Sequence, residues 1–177
     1  MRLTVPTILT LLRIALIPVL AIVFYLPWTW TSFAAAGVFA LASVTDWLDG
    51  WIARRYHQYS AFGAFLDPVA DKFLICAALL VLVHLHRLHA VIALIIIGRE
   101  IAISALREWM AQIGASRSVA VHMVGKVKTV VQMIAIPFLL YYDMLFGVID
   151  TAKWGTALIW ISAFLTIWSM VYYLQKA

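Results

Sequence analysis

Apolar residues run along this chain in long blocks, separated by short polar stretches. A helix that crosses a bilayer needs about 20 largely apolar residues. Six blocks reach that length: about Ile8–Trp28, Ser32–Arg54, Phe62–Leu85, Ala90–Met110, His122–Leu145 and Lys153–Leu174. The pattern predicts an all-α polytopic membrane protein of six transmembrane helices, forming a single domain over residues 1–177. No segment repeats at a fixed period and none is of low complexity.

Composition agrees with the blocks. The chain is 66% hydrophobic and 12% charged, where a soluble domain carries about a quarter charged residues. Arg13 interrupts the first block and no small-x-small cleavage site follows it, so the first span is expected to be retained. Cys76 is the single cysteine; it lies in an apolar run, excludes an intrachain disulfide and reads as an inert packing thiol.

Basic residues set the orientation. Arg2, Arg13, Arg54, Arg55, Arg107, Arg117, Lys126, Lys128 and Lys176 fall at one set of span ends, and only Arg87 and Lys153 at the other. By the positive-inside rule the first set is cytoplasmic, and an even span count puts both termini there. Trp28, Trp30 and Trp154 suit the opposite interface as aromatic anchors. The net charge of +5 therefore reports topology and anionic headgroups, not nucleic acid.

Acidic residues are distributed differently. Half of the eight in the chain fall within 26 positions: Asp46, Asp49, Asp67 and Asp71. An ionised carboxylate at membrane depth costs about 3 kcal/mol on insertion scales. Four close together also repel, so the cluster demands a cation among them, and its all-oxygen donors suit Mg²⁺ or Mn²⁺. Asp46 and Asp49 are spaced i, i+3, and Asp67 and Asp71 i, i+4, so each pair shares a helix face. Their two helices are expected to be antiparallel neighbours with converging acidic faces, and Pro68 suits a first helical turn. Gly50, Ala53 and Gly63 put small side chains beside the carboxylates, allowing close helix packing, a flat ligand against the backbone, or both.

The frame D46-x-x-D49-G50-x-x-A53-R54, eight residues, then G63-x-x-x-D67-x-x-x-D71, resembles the signature of the CDP-alcohol phosphotransferases at all eight fixed positions. Further resemblance lies in P6-T-I-L-T-L-L-R13-I, G98-R-E-I-A-I-S-A-L-R-E108 and G125-K-V-K-T129; Thr7 stands where the family usually has Asn. The resemblance implies a homodimer of six-helix subunits, each with a polar cavity open to the cytoplasm, in a bacterial-type inner membrane. It implies attack of an alcohol on the β-phosphorus of CDP-diacylglycerol, with CMP leaving and sn-glycerol 3-phosphate as the acceptor. Two divalent ions would be held by Asp46, Asp49, Asp67 and Asp71, with Asp67 catalytic and Asp71 a candidate general base. Asp49, Gly50, Ala53, Arg54, Gly63 and Asp67 would bind CDP-diacylglycerol.

The acceptor brings its own phosphate and needs a cationic patch, for which Arg107, Arg117 and Lys126 are the candidates; Lys126 and Lys128 cannot share a helix face. Arg99 with Glu108 is expected to form a buried pair, and Glu100 to be structural. His84, His86 and His89 read as an interfacial loop rather than a zinc site. Two other functions compete: a relative using serine, inositol phosphate or a phospholipid as acceptor, and a cation transporter. The basic patch favours a phosphorylated acceptor, and the crowding of acids at one face disfavours a transport path.

Overall fold

The computed structural model describes residues 5–26, 30–56, 61–112 and 123–176. Six helices are present: α1 (Val5–Tyr25), α2 (Thr31–Tyr56), α3 (Ala61–His84), α4 (Ala90–Gln112), α5 (Met123–Tyr141) and α6 (Thr151–Lys176). Each falls on one of the six apolar blocks. Between α5 and α6 the chain forms a small hairpin, β1 (Met144–Leu145) and β2 (Ile149–Asp150), with Met144 opposite Asp150 and Leu145 opposite Ile149. Three helices carry windows long and apolar enough to cross a membrane: Thr7–Phe24, Thr31–Ile52 and Thr151–Val171.

Helix ends differ from the sequence expectation at identifiable places. The first helix stops at Tyr25, short of Trp28, because residue 26 precedes Pro27 and a proline disfavours helical geometry in the residue before it. The fifth stops at Tyr141, not Leu145. Tyr142 turns into the left-handed region (φ 56°), and Phe146 and Gly147 (φ 53° and 69°) make the tight turn closed by the Val148 amide donating to the Leu145 carbonyl. Pro68 is not in a first turn: α3 begins at Ala61, so the proline lies in the interior and removes the amide that would donate to the Ala64 carbonyl.

The interior is unlike that of a soluble protein. Small and polar side chains fill it: Ala35, Ala42, Ala78, Ala135 and Ala163 pack among Leu20, Phe39, Leu79 and Ile136, with Thr10, Arg13, Lys128 and Gln132 also buried. Large apolar side chains face outward instead, including Trp47, Phe65, Leu94, Phe164 and Trp168. In lipid, an outward Leu or Trp has no cost, and helices associate through close packing and internal hydrogen bonds. A water-facing surface of this kind would aggregate. Closest approach occurs between α5 and α6, the most extensive helix pair, where a Cβ on Gly155 would lie 2.9 Å from Leu139 Cγ and 3.1 Å from its backbone nitrogen.

Packing order corrects one expectation. Helices α2 and α3 touch little; α1 lies between them and packs extensively on both, while α2 also packs on α5 and α6 on α4. The carboxylates on α2 and α3 therefore meet through α1.

The end of the bundle opposite the aspartates is held by Arg87. His86 adopts φ 56° and the Arg87 amide donates back to the Leu82 carbonyl at 2.9 Å, a left-handed cap that terminates α3. The Arg87 guanidinium donates to the Leu139 and Leu140 carbonyls at the end of α5 and to Ser32 Oγ at the start of α2 (3.0 Å), and it covers the Tyr142 ring at 4.6 Å. Burial lowers its pKa from the ordinary value. His89 caps α4 through its carbonyl, which accepts from Ile92 and Ala93, and its ring nitrogen accepts from the Val91 amide at 3.4 Å. His86 and His89 thus serve helix ends. Arg87→Ala is expected to cost about 1–3 kcal/mol, because three acceptors lose a charged donor. The check is the thermal midpoint of detergent-purified protein; an unchanged midpoint would show that the clasp contributes nothing.

Candidate active site

Three helices supply the site. Thr10 and Arg13, spaced i, i+3 on α1, are both fully buried. Arg13 Nη1 donates to Asp71 Oδ1 at 2.7 Å and pairs with Asp46 Oδ1 at 2.7 Å. The Thr10 hydroxyl donates to Asp67 Oδ1. One turn of α1 thus pins an aspartate from α2 and two from α3. Gly63, buried at the start of α3, brings that helix in close. The Asp46 and Asp71 side chains keep 28% and 40% of their exposure, so they are gripped from behind and open in front.

In front of them lies a cavity of about 190 Å³, entered between α2, α3, α4 and α5. Asp46, Asp71 and Lys72 line one side; Glu100, Thr129 and Gln132 line the other. A wider cleft at the opposite end, of about 440 Å³, is lined by His86, Arg87, His89 and Trp160 and has no carboxylate among its described residues. Of these two cavities, the one at the Arg13 end is lined by carboxylates among the described residues.

A second charged cluster braces the far wall. Lys128, only 1% exposed, donates to Glu100 Oε1, and Arg99 approaches the same oxygen at 3.3 Å while donating to Ser169 Oγ at 3.0 Å. Helices α4, α5 and α6 are joined by this set. Glu100 is structural as expected, but Arg99 pairs with Glu100 and not with Glu108, which faces outward. Adjacent positions on a helix differ by about 100°, so Glu100 can turn toward Lys128 while Arg99 reaches α6.

One guanidinium does not balance the acids. Arg13 faces three aspartates, Asp46 and Asp71 as ion pairs and Asp67 through Thr10 beside it, and Lys72 is the other described cation on that wall. The donors are carboxylate oxygens opening on a cavity, so they fit a hard divalent cation. Among the described residues no three His, Cys, Asp or Glu side chains are already grouped as a metal set, and the side chain of Asp49 lies outside the described residues. So do the side chains of Ala53, Arg54, Arg107 and Lys126; Arg117 lies outside them altogether. Gly50 lies on α2, one turn beyond Asp46.

Sequence reasoning used Arg13 only for topology and for a motif, passed over Lys72 and Gln132 as site residues, and set Lys128 aside in favour of Lys126. The signal for Arg13 was present: an ionisable residue inside a span is a functional candidate by default. For Lys128 and Gln132 it was their i, i+4 spacing, which puts two polar residues on one face of an apolar helix.

Comparison with known proteins identifies the family. The family model described as CDP-alcohol phosphatidyltransferase matches residues 3–168. The CDP-diacylglycerol–glycerol-3-phosphate 3-phosphatidyltransferase of Escherichia coli strain K12 is 51% identical over 179 aligned residues, covering 100% of this chain and 96% of the relative. The enzymes of the same name from Shigella sonnei and Shigella flexneri serotype 5b match with the same identity and coverage. The match spans every element that builds the site, from Thr10 on α1 to Gln132 on α5, and the chain belongs to the CDP-alcohol phosphatidyltransferase family.

Proposed function

We propose that this protein is an integral-membrane phosphatidyltransferase that moves the phosphatidyl group of CDP-diacylglycerol to sn-glycerol 3-phosphate, giving phosphatidylglycerophosphate and CMP. The observation that carries the reading is the convergence of Asp46, Asp67 and Asp71 on one turn of α1 at the mouth of a cavity. Full-length similarity to enzymes named for this reaction supports the choice of acceptor. So does the number of basic residues at that end of the helices, since an uncharged alcohol would not need them.

In the reaction, the oxygen of the acceptor's primary hydroxyl bonds to the β-phosphorus. The bond from that phosphorus to the bridging oxygen breaks, and CMP leaves with the electron pair. The hydroxyl proton passes to a carboxylate, for which Asp71 is the candidate. Positioning and charge compensation dominate such transfers. Arg13 fixes the orientation of Asp46 and Asp71, and Thr10 that of Asp67. Two Mg²⁺ or Mn²⁺ ions, held by Asp46, Asp49, Asp67 and Asp71, would neutralise the diphosphate and stabilise charge on the departing CMP. Asp49, Gly50, Ala53, Arg54, Gly63 and Asp67 are assigned to CDP-diacylglycerol, and Arg107, Arg117 and Lys126 to the acceptor phosphate.

All six helices are taken to span a bacterial inner membrane as one domain, with both termini and the cavity cytoplasmic. Contacts that join the start of α1 to the end of α2 and the start of α3 support an up-and-down path. The basic residues at that end support its cytoplasmic placement. The outward apolar faces serve lipid and, in a homodimer, a second copy.

Purified protein with CDP-diacylglycerol and Mg²⁺ is expected to release CMP only when sn-glycerol 3-phosphate is added; release indifferent to the acceptor, or none, would overturn the assignment. Asp67→Asn is expected to lower turnover by at least about a hundredfold while leaving the melting midpoint within a few degrees, since the amide still accepts from Thr10. Arg13→Ala should behave differently. Removing the buried cation exposes Asp46 and Asp71 to mutual repulsion and costs about 3 kcal/mol, so the midpoint falls; millimolar Mg²⁺ should recover part of it. A midpoint insensitive to both changes would refute the role given to Arg13.

A further inference from the structure

Gln132 is anomalous in the cavity wall. It is 1% exposed, it lines the cavity shared with Asp46 and Asp71, and its amide nitrogen Nε2 has no hydrogen-bond partner among the described residues. A buried amide without an acceptor is unfavourable, and in native structures such a group marks a place where something else binds. The helix offers no local reason for it: Lys128, one turn earlier on the same face, is engaged with Glu100.

The surroundings define what can satisfy the amide. Gln132 and Glu100 line the same cavity as Asp46 and Asp71; the Gln132 amide is a neutral donor, and Glu100 Oε1 is already shared by Lys128 and Arg99. A phosphate dianion has only acceptor atoms and so cannot donate to the carboxylates that share this cavity, Asp46, Asp71 and Glu100. A hydroxyl can accept from the Gln132 amide and donate to a carboxylate or to Thr129, which also lines the wall. With the attacking primary hydroxyl beside Asp71, the next carbon of a glycerol acceptor carries the hydroxyl that must find such a pair.

We infer that Gln132 is a specificity-determining residue that reads the secondary hydroxyl of the acceptor, and so selects a vicinal diol phosphate over a simple hydroxyalkyl phosphate. This rests on the acceptor assignment above. A site that buries a donor for a substrate hydroxyl rejects the analogue lacking it, because the donor is then left unpaired.

The test compares sn-glycerol 3-phosphate with 3-hydroxypropyl phosphate, which keeps the primary hydroxyl and the phosphate and lacks the secondary hydroxyl. Wild-type enzyme is expected to prefer the glycerol compound by about tenfold or more in kcat/KM. Gln132→Met, close in shape and unable to donate, is expected to raise the acceptor KM and bring the ratio toward one. A wild-type ratio near one would overturn the inference without recourse to any variant. A variant that loses activity equally toward both acceptors, with the ratio preserved, would also overturn it, since that is how a merely structural residue behaves. Wild-type enzyme releasing no CMP with either acceptor would instead sink the acceptor assignment, and this inference with it.

Discussion

A buried guanidinium holding two carboxylates from different helices is the constraint on which this molecule turns. Taking Arg13 and its partners away from bulk water carries a penalty of a few kcal/mol per charge. Direct ion pairs return an amount of the same order, about 4 kcal/mol for unit charges at 4 Å and an effective dielectric near 20. The balance closes only if the pairs are intact, so α1 must lie between α2 and α3. The same contacts that place the helix also set the aspartates in their working orientation. Fold and site are therefore coupled at one side chain.

The bundle is consequently asymmetric. At one end Arg13 holds carboxylates that stay open on a cavity, and their oxygens fit divalent ions and the diphosphate these would carry. At the other end Arg87 meets no acid; it satisfies helix carbonyls and a hydroxyl, and its role is to close α2, α3 and α5 together. Two arginines, Arg13 fully buried and Arg87 partly so, thus do different work according to their acceptors: carboxylates in one case, carbonyls and a hydroxyl in the other.

Between the two ends, the polar interior divides in the same way. Glu100, Lys128, Arg99 and Ser169 are joined by hydrogen bonds and ion pairs that bind α4, α5 and α6. Gln132 stands next to that set but outside it, facing the cavity with a donor unspent. Engaged polar groups in a low-dielectric interior give rigidity, and unengaged ones invite a ligand.

The apolar blocks were enough to specify helices and their number, and the frame pointed to the aspartates of which Asp46, Asp67 and Asp71 are seen to converge, because hydrophobic length and i, i+3 or i, i+4 spacing are local properties of the chain. Helix ends were less legible: the apolar block ran on through Pro27 to Trp28 although α1 stops at Tyr25, and the end of α5 depended on positive φ values at Tyr142 and Phe146 that their residue types do not announce. What tertiary structure alone decided was partnership. It placed α1 between α2 and α3, gave Arg99 to Glu100 and Ser169 in place of Glu108, buried Lys128 toward Glu100, and left Gln132 facing the cavity. A sequence states which residues carry charge and which face of their own helix they share. Which opposite charge they meet depends on the order in which helices pack, and that order is set by interactions between positions as far apart as Arg13 and Asp71.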